Sequence, residues 1–262
     1  MEIIGYLLSI FIGVTLGLIG GGGSILTIPI LVYFFAVEPV VATSYSLFVV
    51  GVSAIIGTKR HYSLGNLKFS TALYFAIPSV VSVLLTRKII IPAIPEKINL
   101  FNQIIISKNT LTMIVFAVLM MAASFSMIKK QQYKSDEVKK TSNLKLMVYG
   151  FVVGIITGFL GAGGGFLIIP ILIFFAQLNM KQAVGTSLLI IAINSSIGFV
   201  GDIVNHVKLN WQILILVTLF AIVGMLIGTQ LSKKIEGEKL KPIFGWFVLI
   251  MGIYIIVKEL FL

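Results

Sequence analysis

The sequence contains no cysteine, and only two histidines and two tryptophans among its 262 residues. Without cysteine there is no disulfide, no thiolate metal site and no thiol nucleophile. Two histidines leave little from which to build a metal centre. Charge is scarce as well: Asp, Glu, Lys and Arg make up 11% of the chain, against about 25% in an average soluble domain. What replaces them is apolar. Hydrophobic residues account for 58% of the chain and mean hydropathy is +1.09. Apolar runs between the charges match or exceed the roughly 20 residues needed to span a bilayer. This is the composition of an integral membrane protein.

The net charge of +11 does not mark a nucleic-acid binder. The 20 Lys and Arg residues lie in short loops between apolar runs, where membrane proteins place them. The N-terminus has no basic region and no small-residue cleavage site after its first run, so it reads as a retained membrane segment. Eight charge-free runs define the elements: Ile3–Val37, Pro39–Thr58, Phe69–Thr86, Asn109–Ile128, Leu146–Met180, Gln182–Gly201, Leu209–Ser232 and Pro242–Val257. All read as helical, because a membrane core admits helices or closed barrels and none alternates like a barrel strand. The segment Ile89–Ser107, with Pro92, Pro95, Glu96 and Lys97, reads as an interfacial or re-entrant excursion and not as a span.

The runs come in the order long, medium, medium, medium, twice over. Gly20–Gly23 in "GLIGGGGSILTIPIL" aligns with Gly161-Ala162-Gly163-Gly164 in "GFLGAGGGFLIIPIL", and Pro29 aligns with Pro170. Ala42-Thr43-Ser44 aligns with Gly185-Thr186-Ser187, and Leu67-Lys68-Phe69 with Leu209-Asn210-Trp211. Between the halves lies a linker, Lys129–Lys145, with six lysines and therefore an expected cytoplasmic position. The chain divides into a first membrane repeat (1–128), the linker (129–145) and a second repeat (146–262). Each half holds one glycine-broken run and three ordinary ones. A broken run that turns back or crosses twice gives each half an odd number of crossings, and the halves are then inverted. That placement puts fourteen basic residues inside and six outside, Arg87 among the six. The expected fold is all-α and membrane-embedded: two inverted repeats, about eight spans, and up to ten helices counting the broken hairpins.

Single small residues in membrane helices let backbones approach one another, which suits Gly13 and Gly17, or Gly224 and Gly228. Four glycines in sequence do not fit that purpose. They point in every direction, and each costs a helix about 1 kcal/mol relative to alanine. An unwound stretch is expected, with new short helices at Ser24–Ala36, where Ser24 is a good N-cap residue, and at Gly165–Ala176. Exposed backbone at membrane depth is tolerated inside protein or beside a wet cavity. Paired broken helices in two halves point to a transport site, and free N–H groups with positive dipole ends favour an anion.

The helices that follow each break, "ATSYSLFVVGVSA" and "VGTSLLIIAINSS", carry polar stripes that place Ser46 under Ser53 and Ser187 under Asn194. No charged residue lies inside the eight runs; Glu38, Lys59, Arg60 and Asp202 sit at their margins. A cation carrier would be expected to bury a carboxylate. His61 and His206, near span ends, read as interfacial residues. No nucleophile sits beside a base, and no Gly-Lys-Ser/Thr follows the glycines as a phosphate loop requires, so an enzyme is not expected.

The doubled pattern "GLIGGGGSILTIPIL…ATSYSL" and "GFLGAGGGFLIIPIL…VGTSLL" resembles the TauE/SafE sulfite exporter family over the whole chain. The resemblance implies a multi-pass protein of a bacterial or archaeal inner (cytoplasmic) membrane that moves sulfite, thiosulfate or organosulfonates. In this reading, backbone donors of Gly20, Gly21, Gly22, Gly23 and Ser24, and of Gly161, Gly163, Gly164 and Gly165, hold the anion near the midplane. Thr43, Ser44, Thr186, Ser187 and Asn194 add hydroxyl and amide donors, and one half moves against the other. The expected partners are the small anion and the lipid bilayer, with a homodimer left open. No nucleic acid, metal or cofactor is expected. Two alternatives stay open: a non-transporting membrane scaffold that uses its glycines for packing, and a cation permease.

Overall fold

A computed structural model describes the chain apart from residues 1, 22, 101–103, 129–141, 162, 206, 233–236 and 262. Gly22, Ala162, His206 and most of the expected linker thus lie outside the described residues. Among the described residues, ten helices make up the fold. They are α1 (Glu2–Ile19), α2 (Ser24–Phe35), α3 (Pro39–Ser63), α4 (Phe69–Ala93), α5 (Lys108–Ile128), α6 (Asn143–Leu160), α7 (Gly165–Phe175), α8 (Met180–Val204), α9 (Trp211–Leu231) and α10 (Gly237–Phe261). Seven are long and apolar enough to cross a membrane: α1, α3, α4, α5, α6, α8 and α9. The expected eighth span, Pro242–Val257, lies within α10, whose Ile243, Trp246, Ile250 and Tyr254 face outward. The protein is an all-α integral membrane protein.

The two glycine clusters are the turns of helical hairpins. Phe35 at the end of α2 packs on Tyr6 near the start of α1, with ring centroids 4.9 Å apart. At the other end of α2, a Cβ on Gly23 would lie 2.0 Å from the Ile12 carbonyl oxygen. So α2 returns antiparallel along α1. The second hairpin repeats this: Tyr149 of α6 lies 4.3 Å from Phe175 of α7, and Gly164 abuts Thr157. Twelve and eleven residues make α2 and α7 only about 17–18 Å long at 1.5 Å per residue.

The backbone details of the breaks recur as well. The Gly20 N–H donates to the Leu16 carbonyl and the Gly161 N–H to that of Thr157. Gly20 and Gly161 have φ of +77° and +65°. At the far ends, Ala36 and Gln177 both take left-handed φ, at +52° and +53°, and Val37 and Leu178 donate back to Leu31 and Leu172.

Helix directions set the architecture. α3 and α8 are antiparallel: Gly51 meets Ser195 at their middle, and His61 meets Gly185 at one end. They are the most buried of the seven span-length helices, at 67% and 72% of their spanning windows, against 39–44% for the others. They form the centre. α1 and α9 run parallel and cross at glycine, as do α4 and α6. A Cβ on Gly13 would sit 1.8 Å from the Ala221 carbonyl oxygen, and one on Gly224 would sit 1.9 Å from that of Ile10. Gly17 and Gly228 extend this crossing, so close packing is what these four glycines do. α5 and α10 pair antiparallel, with Gly252 on Ala117 and Gly245 on Met127. Exchanging α1–α5 for α6–α10 leaves this set of pairings unchanged.

Two local expectations are corrected. Ser24 does not cap α2: its hydroxyl donates back to the Gly21 carbonyl at 2.8 Å, and Gly23 occupies the cap position. The segment after Thr86 is not a loop at once. α4 continues through a π-helical turn, Thr86–Ile90, to Ala93, and an antiparallel strand pair, Lys97–Leu100 with Ile104–Ser107, follows. The expected excursion Ile89–Ser107 therefore begins inside α4, a candidate span, and the strand pair follows that helix.

Candidate functional site where the two helix breaks meet

Each break rests on the polar helix start of the opposite half. Gly20 abuts Val184 and Ser187 of α8, and the Ser187 hydroxyl is shared between the Gly20 and Val184 carbonyls, each at 2.9 Å. Gly161 abuts Thr43 of α3, whose carbonyl oxygen would lie 2.2 Å from a Cβ placed there. Between these seats the breaks touch each other. A Cβ on Gly21 would lie 2.1 Å from the Gly165 carbonyl carbon, and one on Gly165 would lie 2.4 Å from the Gly21 Cα. Two backbones can approach this closely only where both residues lack side chains.

The second break is the more distorted. Gly161, Gly163 and Gly164 all have left-handed φ, at +65°, +64° and +69°. A residue with a side chain pays about 1–2 kcal/mol of strain in that region. Gly163 faces the middle of the central pair, with Ser195 Oγ and the Val50 methyl within 3.0–3.1 Å of where its Cβ would be. Gly164 faces Thr157 Oγ1. Ser195 Oγ and Thr157 Oγ1 at this point are buried with no hydrogen-bond partner among the described residues, as are Ser46 and Ser53 Oγ on α3 and Asn194 Oδ1 on α8. Buried polar groups are ordinarily paired, so this band marks a place where a partner belongs.

Several expected donors are engaged. The Gly20 and Gly161 N–H groups complete helix ends. Thr43 donates its hydroxyl to the Val40 carbonyl at 2.7 Å. Thr186 accepts the Lys68 N–H at 3.1 Å and so holds the start of α4. Asn194 donates Nδ2 to Ser79 Oγ at 2.7 Å, leaving its carbonyl oxygen unpaired. Gly20, Gly21, Gly23, Ser24, Thr43, Ser44, Gly161, Gly163, Gly164, Gly165, Thr186, Ser187 and Asn194 are all buried. Gly22 lies outside the described residues.

The family model for the sulfite exporter TauE/SafE matches residues 6–255. The chain belongs to the TauE/SafE family. It is 30% identical to a protein of Xylella fastidiosa named "Probable membrane transporter protein", over 94% of this chain and 91% of that one. Similar proteins carrying that name occur in Methanocaldococcus jannaschii (24% identical, covering 95% and 94% of the two chains) and Bacillus subtilis (25%, 95% and 98%). No solved structure is a significant match. The chain is thus a multi-pass protein of a membrane transporter family.

This TauE/SafE protein also carries buried charges that its charge-free runs concealed. Arg87 and Asp202, 5% and 4% exposed, form an ion pair at 2.5 Å between α4 and α8. The expectation placed Arg87 in an outer loop and Asp202 at a margin. The charges can go inside because they neutralise one another there and α4 stays helical past Arg87. Cutting the sequence at every charge assigns both to loops by construction. The available signal was opposite charges at the ends of two neighbouring spans. His61, in the last turn of α3, is 2% exposed and packed on Gly185.

Proposed function

We propose that the chain is a permease of a small sulfur-containing anion: sulfite, thiosulfate or an organosulfonate. The observation that carries this reading is the backbone contact of Gly21 with Gly165, next to Gly163 and Gly164, which face the unpaired Ser195 and Thr157 hydroxyls. Hydroxyl and backbone donors suit an anion that sheds water more readily than a hard cation does. Among the described residues, no cluster of three or more His, Asp or Glu could hold a metal ion.

Gly21, Gly22, Gly23 and Ser24 of the first break and Gly163, Gly164 and Gly165 of the second surround the anion, with Asn194 beside them. Gly20, Gly161, Thr43, Ser44, Thr186 and Ser187 hold the seats on which the breaks rest. Ser195 and Thr157 join the donors. The halves 1–128 and 146–262 act as inverted repeats in the cytoplasmic membrane, joined by the basic linker on the inner side. The parallel α1/α9 and α4/α6 pairs and the antiparallel α3/α8 and α5/α10 pairs support this inversion. Rocking of one half on the other about the junction gives alternating access.

Flux of sulfite and thiosulfate into proteoliposomes, compared with chloride and sulfate, tests the proposal. Flux of a sulfur anion well above that of empty vesicles, and lost in Gly163→Ala, is expected. Flux no greater than that of empty vesicles for every sulfur anion refutes it.

A further inference from the structure

The Arg87–Asp202 pair is built unusually for a structural ion pair. One guanidinium nitrogen, Nη1, carries both of the bonds shown: to Asp202 Oδ2 at 2.5 Å and to Ser44 Oγ at 3.2 Å. Nε and Nη2 are buried and have no partner among the described residues. These two nitrogens form the side-on fork that binds an oxyanion through two parallel hydrogen bonds. A pair made for stability alone would be expected to turn that fork toward its carboxylate. Here the aspartate takes one corner and leaves the fork open.

The surroundings extend the pattern. Thr86 Oγ1, adjacent in sequence and fully buried, is also without a partner. The π-helical turn, Thr86–Ile90, begins at this point, and such turns recur at functional positions. A small cavity at the same end of α3 and α4 is lined by Thr43, Ile91, Thr112, Phe159 and Lys108 among others. Lys108 donates its ammonium to the neutral Ile91 carbonyl at 2.6 Å, which leaves its charge to favour anions there. The equivalent of Arg87 in the second half, by the alignment of Leu67 with Leu209, is the uncharged Thr229. The fork therefore serves one end of the α3–α8 pair.

We propose that Arg87 is an oxyanion-binding residue of the transport path. Its Nε–Nη2 edge grips the substrate anion, Ser44 positions the guanidinium, and Asp202 both positions it and competes with the anion for its charge. The proposal rests on the reading that the substrate is a sulfur oxyanion.

The test is binding of thiosulfate, sulfite and chloride to purified full-length protein in nanodiscs, by calorimetry and by ligand-induced thermal shift. Arg87→Lys keeps the charge but removes the fork, and oxyanion affinity is expected to fall about tenfold or more. Asp202→Asn keeps an acceptor for Nη1 but removes the competing charge, and affinity is expected to rise. A purely structural pair predicts otherwise: both variants lower the melting temperature without ligand and leave affinity unchanged. The double variant Arg87→Gln/Asp202→Asn leaves no lone buried charge, and provides a folded protein expected to bind weakly. An Arg87→Lys affinity within twofold of wild type, or weakened binding in Asp202→Asn, overturns the proposal. Sulfur-anion flux by wild type with binding indifferent to Arg87 refutes this inference and leaves the proposed function standing. Arg87-dependent oxyanion binding without sulfur-anion flux refutes the proposed function and, with it, the place of Arg87 in a transport path, leaving only an oxyanion site. Wild type that binds neither sulfur anion refutes both.

Discussion

The Ser187 hydroxyl reaches the Gly20 carbonyl at 2.9 Å, across 167 residues of sequence, and shares its proton with the Val184 carbonyl at 2.9 Å. That bond fastens the first broken hairpin to the central helix of the other half. Ser187→Ala should cost about 1 kcal/mol, the usual net value of one hydrogen bond. Unfolding in mixed micelles should show it, and transport should fall further than stability does, because the junction loses its seat.

The contact of Gly21 with Gly165 leaves no room for a methyl group. Gly21→Ala places a Cβ 2.1 Å from backbone that has no flexible end to move aside. Loss of folded protein, or a fall of several kcal/mol in line with overpacked cores, is expected. Gly65 is the control. Its φ is +70° but nothing lies within 4 Å of its Cβ position, so Gly65→Ala should cost only about 1–2 kcal/mol of backbone strain. Thermal unfolding of the two variants side by side checks the difference.

Removing the unpaired hydroxyls should separate stability from binding. Ser195→Ala and Thr157→Val delete buried groups that have no partner among the described residues, so stability should stay level or rise by up to about 1 kcal/mol. Anion affinity should drop in both. Ser79→Ala is the contrasting case: it strips Asn194 Nδ2 of its acceptor and should cost about 1–3 kcal/mol. Paired unfolding and calorimetric titrations distinguish the two patterns.

Much of this was legible before the structure. Glycine clustering predicted both breaks and the lengths of α2 and α7, because four successive glycines cannot serve one packing face. Single glycines at Gly13, Gly17, Gly224 and Gly228 read correctly as helix contacts for the opposite reason. The cross-half seating of Gly20 on Ser187 and of Gly161 on Thr43 was not legible. Hydrophobic runs say which segments enter the membrane, not which half receives a given turn. Arg87 was missed because run boundaries were drawn at charges, while α4 stays helical through its π turn. Ser24 looked like a cap by residue type, yet its hydroxyl donates to Gly21 where a capping oxygen would accept.

Thr186 tests how the halves are joined. Its hydroxyl oxygen accepts the Lys68 N–H at the start of α4. Thr186→Val should cost about 1 kcal/mol and Thr186→Ser almost nothing, since the acceptor remains. Hydrogen exchange of the first turn of α4 should quicken in the valine variant alone.

The central claim is that the anion sits where the two breaks meet. Anomalous difference density from selenite, a heavier stand-in for sulfite, bound to crystals of the wild-type protein tests it most directly. The account predicts a selenium peak within hydrogen-bonding reach of the Gly163–Gly165 backbone and Ser195 Oγ. Bound selenite whose peak lies away from both breaks, or a junction that stays empty at saturating selenite, would contradict it.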